Sequence, residues 1–208
     1  MISAQQALAR LKEGNRRFAA GLLRDRSGLA ERREQLRGQQ APSAIILGCS
    51  DSRVPAELIF DQGLGELFVI RVAGNITGPS QIGSIEFAVT TFGTRLVVVL
   101  GHSRCGAIEE ALKQAVETRG AGSASLESII GLIRPVVQPL LDEGPGEDSD
   151  ALTQRAVRAN VRASVERMRH ESDILAALER DDGLLIVGAE YSLDTGLVAF
   201  FDGVPEDH

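Results

Sequence analysis

Leu96-Val97-Val98-Val99-Leu100-Gly101-His102-Ser103-Arg104-Cys105-Gly106 is the stretch that decides the reading of this chain. An apolar run without polar alternation ends at a histidine and a cysteine three residues apart. Such a run predicts a strand buried on both faces. The same layout stands earlier, where Ala44-Ile45-Ile46-Leu47 leads through Gly48 into Cys49-Ser50-Asp51-Ser52-Arg53. Two more short apolar runs occupy 67–72 and 184–187. Helical patterns at about 80–92, 104–118, 124–141 and 151–169 lie between and after them. Strands separated by helices predict an open, parallel α/β sheet. Leu197 to Phe201, after the turn-like Asp194-Thr195-Gly196, adds an edge strand. In open α/β sheets, ligands bind outside the carboxyl ends of strands where the strand order switches. Both motifs fall at such ends, so they can meet in one crevice.

Working outward, residues 3–19 have helical spacing of Ala4, Ala7, Leu8, Leu11 and Phe18. Ser3 and Gln6 form a capping-box pattern, and Gly21 marks a stop. Residues 24–40 are rich in Arg, Gln and Glu and read as a surface segment, so 1–40 is expected to be an N-terminal helical arm on a single domain spanning 1–208. Ser80 after Pro79 is the expected cap of the 80–92 helix, and Pro135 and Pro139 should kink or interrupt the 124–141 helix. Asp142 to Asp150 reads as an acidic loop.

At 208 residues, the chain has a net charge of −7 and a pI near 5.1, which argues against a nucleic-acid surface. No apolar stretch approaches the ~20 residues of a membrane span, and the first residues lack a signal-peptide layout. With only two cysteines, a reducing cytoplasm is the expected location.

Those two cysteines are Cys49 and Cys105, and with His102 they can hold a soft divalent metal. Zinc favours thiolate and imidazole donors, and a Cys₂His set with one open position is a known catalytic arrangement. Cys105 should lie in the first turn of a helix, whose dipole lowers a thiol pKa. Asp51, two residues past Cys49, can act as a fourth ligand or stand beside the metal as an acceptor. Arg53 can grip the Asp51 carboxylate on both oxygens and turn it from the metal. A lone cysteine is ordinarily a small core residue, and a lone Asp-x-Arg an ordinary surface pair. It is their joint placement at two strand ends that points to a site. His170 and His208 are not expected to take part.

At these residues the chain resembles the β-class carbonic anhydrases. The resemblance rests on Cys49-Ser50-Asp51-Ser52-Arg53-Val54-Pro55 and Gly101-His102-Ser103-Arg104-Cys105-Gly106. It extends from about residue 4 to 201 through Glu13-Gly14-Asn15-Arg16-Arg17-Phe18, residues 67–75 and residues 83–89. It implies four parallel strands plus a fifth edge strand, flanked by helices. It further implies a lyase with one Zn2+ per subunit held by Cys49, His102 and Cys105, and Asp51–Arg53 as the catalytic dyad. Zinc-bound hydroxide would then convert CO₂ reversibly to bicarbonate and a proton, in a homodimer or homotetramer with active sites near subunit interfaces. Val54, Phe68 and Phe87 would line the CO₂ pocket. Gln40 stands where plant-like members reach bicarbonate across the dimer interface. A second subgroup closes its metal with the aspartate and binds regulatory bicarbonate through a Trp-Arg-Tyr trio. Arg71 and Tyr191 can match two of these, but Ile46 stands at the tryptophan position, so an open site at neutral pH is expected. Rival readings are a thiol enzyme using Cys105 and His102, a CS₂ or COS hydrolase, and a binding module with structural zinc.

Overall fold

A computed structural model describes residues 2–117, 119–142 and 148–205. Its centre is a five-stranded sheet in the order β2-β1-β3-β4-β5. The strands are β1 (Ala44–Gly48), β2 (Leu67–Arg71), β3 (Leu96–His102), β4 (Leu185–Tyr191) and β5 (Val198–Asp202). The first four are parallel and β5 adds an edge strand, as the sequence predicts, and it runs antiparallel to β4, a direction the sequence reading leaves open. Every residue of β1 and β3 is buried, because helices cover both faces of the sheet.

Alternation along the strands sorts the core. Ile46, Val98, Leu100 and Val187 face α1 (Ala4–Ala19) and its Leu8 and Leu11. Ile45, Leu47, Val97, Val99 and Ile186 face the other way, toward α4 (Pro79–Thr91) and α7 (Ser149–Glu171). A third apolar cluster sits at the carboxyl end of the sheet. There Cys49 and Cys105 join Ile76, from the turn after β2, and Ile108, Ile130, Ile133 and Val157, from α5 (Gly106–Glu117), α6 (Ala124–Asp142) and α7. Apolar packing of this kind is worth about 25 cal/mol per Å² removed from water, and it holds the two cysteines in place.

α1 carries the expected capping box: Ser3 Oγ accepts from the Gln6 N–H at 3.2 Å, and the Ser3 N–H donates to Gln6 Oε1 at 2.9 Å. Its carboxyl end is built into the fold. A Cβ on Gly14 would fall 1.9 Å from the Phe60 carbonyl oxygen, so only glycine fits there. Buried Asn15 donates to the carbonyls of Ile59 and Gly196 and accepts from the Val198 N–H, pinning the start of β5. Asp61, fully buried and left-handed at φ 47°, receives Arg17 Nε at 2.7 Å and the Arg24 N–H at 3.2 Å. The 24–40 segment contains α2 (Leu29–Gln35), which buries none of its residues.

Several expectations need correction. α4 starts at Pro79 with Gly78 as its cap, and Ser80 lies inside the helix, where its carbonyl accepts from Ser84 Oγ. Proline suits the first helical position because its missing N–H has no intrahelical partner there. Pro135 and Pro139 do not interrupt α6, which runs unbroken through both. Both prolines are solvent-exposed, so water can serve the carbonyls deprived of an N–H. By length and composition, α6 is also long and apolar enough to cross a membrane, with mean hydropathy 1.2, contrary to the sequence expectation. Its glycine and prolines interrupt the apolar pattern to the eye without adding charge. Ile130, Ile133 and Val137 are nevertheless buried in the cluster shared with α5 and α7. Two helices escaped the sequence reading: α3 (Ala56–Ile59) and α8 (Asp173–Asp181). The Ser172 cap, whose hydroxyl accepts from the Leu175 N–H, was the available signal for α8. Thr118, the 143–147 part of the acidic loop and His208 lie outside the described residues.

Candidate metal centre

The strand order reverses between β1 and β3, so their carboxyl ends open side by side. Cys49 leaves β1 at that point and His102 is the last residue of β3. Arg104 turns the chain in a left-handed conformation at φ 53°, which brings Cys105 back to the same spot. Cys105 lies just before α5 rather than in its first turn, and its carbonyl accepts the N–H groups of Ile108 and Glu109. The ligand atoms of Cys49, His102 and Cys105 all lie within 4.8 Å of one another, and all three residues are buried. The sulfurs are 4.0 Å apart and both cysteines are free.

The donor set fits a metal on two grounds. First, His102 Nδ1 lies 2.9 Å from the Ser103 carbonyl oxygen, which places the ring hydrogen on Nδ1 and leaves the Nε2 lone pair free. Nε2 is fully buried with no hydrogen-bond partner. Leaving a buried polar atom unpaired costs about 1–3 kcal/mol, and beside two sulfurs a cation is its natural partner. Ser103 is itself held, its N–H on the Tyr191 carbonyl at 3.0 Å and its hydroxyl accepting the Leu193 N–H at 3.0 Å. A backbone carbonyl on the non-ligating nitrogen is the usual way a protein orients a metal-binding histidine.

Second, the two sulfurs share their protons, so that the pair gives up one of them readily. The Cys105 S–H, as hydrogen-bond donor, lowers the Cys49 pKa to about 4, despite burial. Cys105 is pushed up by the same contact and by burial, the reverse of the helix-dipole expectation. Burial pushes the His102 pKa down, but contact with the Cys49 thiolate more than offsets this and the net shift is upward. The pocket is built to collect negative sulfur charge against a positive partner.

Asp51 stands at the rim. Arg53 grips it with Nε on Oδ1 at 3.0 Å and Nη2 on Oδ2 at 2.7 Å, and the Arg53 N–H adds a third bond at 2.9 Å. This grip lowers the Asp51 pKa to about 2. Arg53 Nη2 also donates to the Arg104 carbonyl at 3.1 Å, tying the two motifs together. Asp51 Oδ2 comes no nearer than 3.9 Å to His102 Nε2. Arg71 donates from Nε to the Cys49 carbonyl at 2.9 Å and from Nη2 to the Asp51 carbonyl at 2.6 Å. Sequence reasoning had linked Arg71 only to a regulatory trio, whereas it braces the first motif from β2. Tyr191, the other residue so linked, is buried against Phe18. His170 is exposed on α7, with its ring on the Glu166 carbonyl.

The remaining predicted residues separate. Val54 is buried directly behind the dyad, its N–H on the Asp51 carbonyl. Phe68, paired in register with Ile45, packs instead with Phe87 and Phe92 toward the amino ends of the strands. Gln40 precedes β1 and lines a groove with Leu36, Leu64 and Phe92 at that same end. One chain therefore does not bring Gln40, Phe68 or Phe87 to its own Cys49–His102–Cys105 cluster.

Fold and site define an α/β protein with a buried Cys₂His cluster, able to hold a metal, at the switch point of an open sheet. A family model described as carbonic anhydrase matches residues 44–198. Carbonic anhydrase 2 of Mycobacterium tuberculosis is 40% identical over 195 residues, covering 93% of this chain and 91% of that protein. The β-carbonic anhydrase CafA of Aspergillus fumigatus superposes with a TM-score of 0.73 at 25% identity, over 97% of this chain and 91% of that one. A chain from the tetrameric β-carbonic anhydrases of Sordaria macrospora gives 0.72 at 26% identity, over 81% and 84%. The chain belongs to the carbonic anhydrase family, in its β class, and is a lyase of that family.

Proposed function

We propose that the chain interconverts CO₂ and bicarbonate with one zinc ion per subunit, held by Cys49 Sγ, His102 Nε2 and Cys105 Sγ. The observation that carries this is the buried, unpartnered His102 Nε2 facing two free thiols. Zinc bound there would supply Lewis acidity, able to bring the pKa of water from roughly 15.7 to about 7. Asp51, ionised and fixed by Arg53, offers an acceptor for a proton at the rim of the cluster. Because both of its oxygens are engaged by Arg53, it is held back from closing the site as a fourth ligand at neutral pH. Val54 and the apolar cluster behind the cysteines exclude water from the ligands' far side. Supporting a homo-oligomer, Leu58, Leu64 and Phe87 are exposed on α3, the loop before β2, and α4. Gln40, Phe68 and Phe87 would then serve the cluster of another copy.

The test is stopped-flow CO₂ hydration from pH 6.5 to 9, with zinc content measured on the same sample. One zinc per chain and activity at pH 7 are expected. Hydration that survives zinc removal, or its absence in fully loaded protein, defeats the proposal.

A further inference from the structure

The turn after β2 carries a hydrogen bond that the ligand set does not account for. Gly74 donates its N–H to Cys49 Sγ at 3.3 Å. Gly74 and Asn75, the residues that carry the chain on from this contact, are both left-handed, at φ 70° and 42°. Glycine and asparagine are the residues that adopt that conformation most readily. The turn also presses close to its neighbours: a Cβ on Gly74 would lie 2.8 Å from Ile133 Cδ1 and 3.2 Å from Ala107 Cβ. The turn is thus crowded and left-handed at two successive residues.

α7 supplies the hold. Asn160 Nδ2 donates to the Gly74 carbonyl at 2.7 Å, and Ser164 Oγ donates to the Asn75 carbonyl at 3.1 Å. Thr77 Oγ1 returns a bond to the Ser164 carbonyl at 3.2 Å. Asn160 and Ser164 are each only 2% exposed, on a helix face that otherwise buries valine and alanine. Two polar side chains at such positions are expensive unless satisfied, and both are satisfied by the turn carrying the Gly74 N–H. Asn160 is thus one residue removed from the Cys49 sulfur: its amide fixes the Gly74 carbonyl, and the same residue's N–H meets the sulfur.

We infer that Asn160, seconded by Ser164, is a positioning residue for the metal centre, setting the N–H···S bond that orients and partly neutralises the Cys49 thiolate. The inference rests on the reading that the cluster holds zinc. Removing Asn160 frees the turn to relax out of its left-handed shape. The Gly74 N–H then leaves the sulfur, and zinc is held less tightly, although no ligand has been touched. Outer partners of metal ligands typically alter affinity by roughly 10- to 100-fold.

Full-length wild type, Asn160→Ala, Ser164→Ala and Val161→Ala are loaded with zinc and, separately, with cobalt(II). The readouts are the rate of zinc release to a chromogenic chelator and the thiolate-to-cobalt absorption band. Asn160→Ala should release zinc roughly tenfold faster or more and shift the band. Ser164→Ala should move both in the same direction by less. Val161→Ala removes packing from the same buried face of α7 without touching the turn, so it should lower the melting temperature and leave both metal readouts unchanged. Wild-type release rates and bands in both polar variants overturn the inference, as does Val161→Ala changing them equally. Should Asn160→Ala fail to fold, Ser164→Ala, which loses one hydroxyl, decides alone. Wild-type protein that takes up neither metal overturns the underlying reading and this one with it. Wild-type protein that binds metal while the polar variants bind it identically sinks only the positioning role.

Discussion

Asp51 and Arg53 meet through a two-oxygen fork, 3.0 and 2.7 Å long, set on the rim of the cysteine–histidine cluster. Their separation of two residues lets one turn supply both the carboxylate and its clamp. Asp51→Asn removes the proton acceptor while keeping the shape. Hydration should fall roughly 10²-fold, the low end of what general acid–base groups contribute, with zinc content unchanged. Arg53→Ala should also lower activity at pH 7, because an unclamped Asp51 is free to turn inward. Stopped-flow rates and zinc stoichiometry on the same samples check both, and full activity in Asp51→Asn would remove it from the mechanism.

His102→Ala should cost the protein its zinc without unfolding it. On the proposed reading His102 would contribute one of three ligand atoms, yet its burial is shared with the fully buried strand β3. The expected outcome is a zinc content well below one per chain and no hydration, with the far-ultraviolet circular dichroism of the parent. Stoichiometric zinc in this variant would mean that the histidine is not a ligand.

Asp61 should give the fold an acid-sensitive component far from the active site. Burial alone would raise its pKa, but hydrogen bonds from the Arg17 side chain and the Arg24 N–H outweigh that and hold it below 3.8. A carboxylate with a depressed folded pKa contributes stability that is complete above its unfolded pKa and is lost as pH falls through the folded one. Asp61→Asn should therefore destabilise by about 1–3 kcal/mol at pH 7, where an ionised partner of Arg17 is removed. The gap to wild type should narrow as pH falls below about 4. Urea unfolding at pH 7, 4 and 3 measures it, and a gap that does not change with pH would exclude the ion pair as its source.

Phe87 is 52% exposed while touching Phe68 and Phe92, so an aromatic cluster reaches the surface at α4. Phe87→Asp should dissociate the expected homo-oligomer and lower activity without altering the zinc ligands. Size-exclusion chromatography with light scattering reads the first effect. An unchanged mass would place the subunit contact elsewhere.

Much of the fold was legible because burial writes itself into β1 and β3 as unbroken apolar runs. β5 was legible from the Asp194-Thr195-Gly196 turn before it. The errors came where local rules met tertiary context. Pro135 and Pro139 break helices when their carbonyl partners are buried, and here both prolines face solvent. Cys105 stands just before α5 rather than in its first turn, and its nearest polar neighbour is the Cys49 sulfur 4.0 Å away, on a residue 56 positions distant. α8 is nine residues long, too short for its periodicity to stand out.

The sequence by itself determined the donor chemistry. Two thiols, one imidazole and an Asp-x-Arg pair, placed where apolar runs end, leave few alternatives to a metal site in an α/β sheet. Spacing along the chain fixed Asp51 against Arg53, because that contact spans two residues. Only the tertiary structure decided what depends on residues far apart. It showed that His102 presents Nε2 rather than Nδ1 and that the two sulfurs stand 4.0 Å apart beside it. It also brought Asn160, 86 residues after Gly74, under the turn that meets the sulfur. Such contacts depend on how β1, β3 and α7 pack, and no local pattern records the distance between elements.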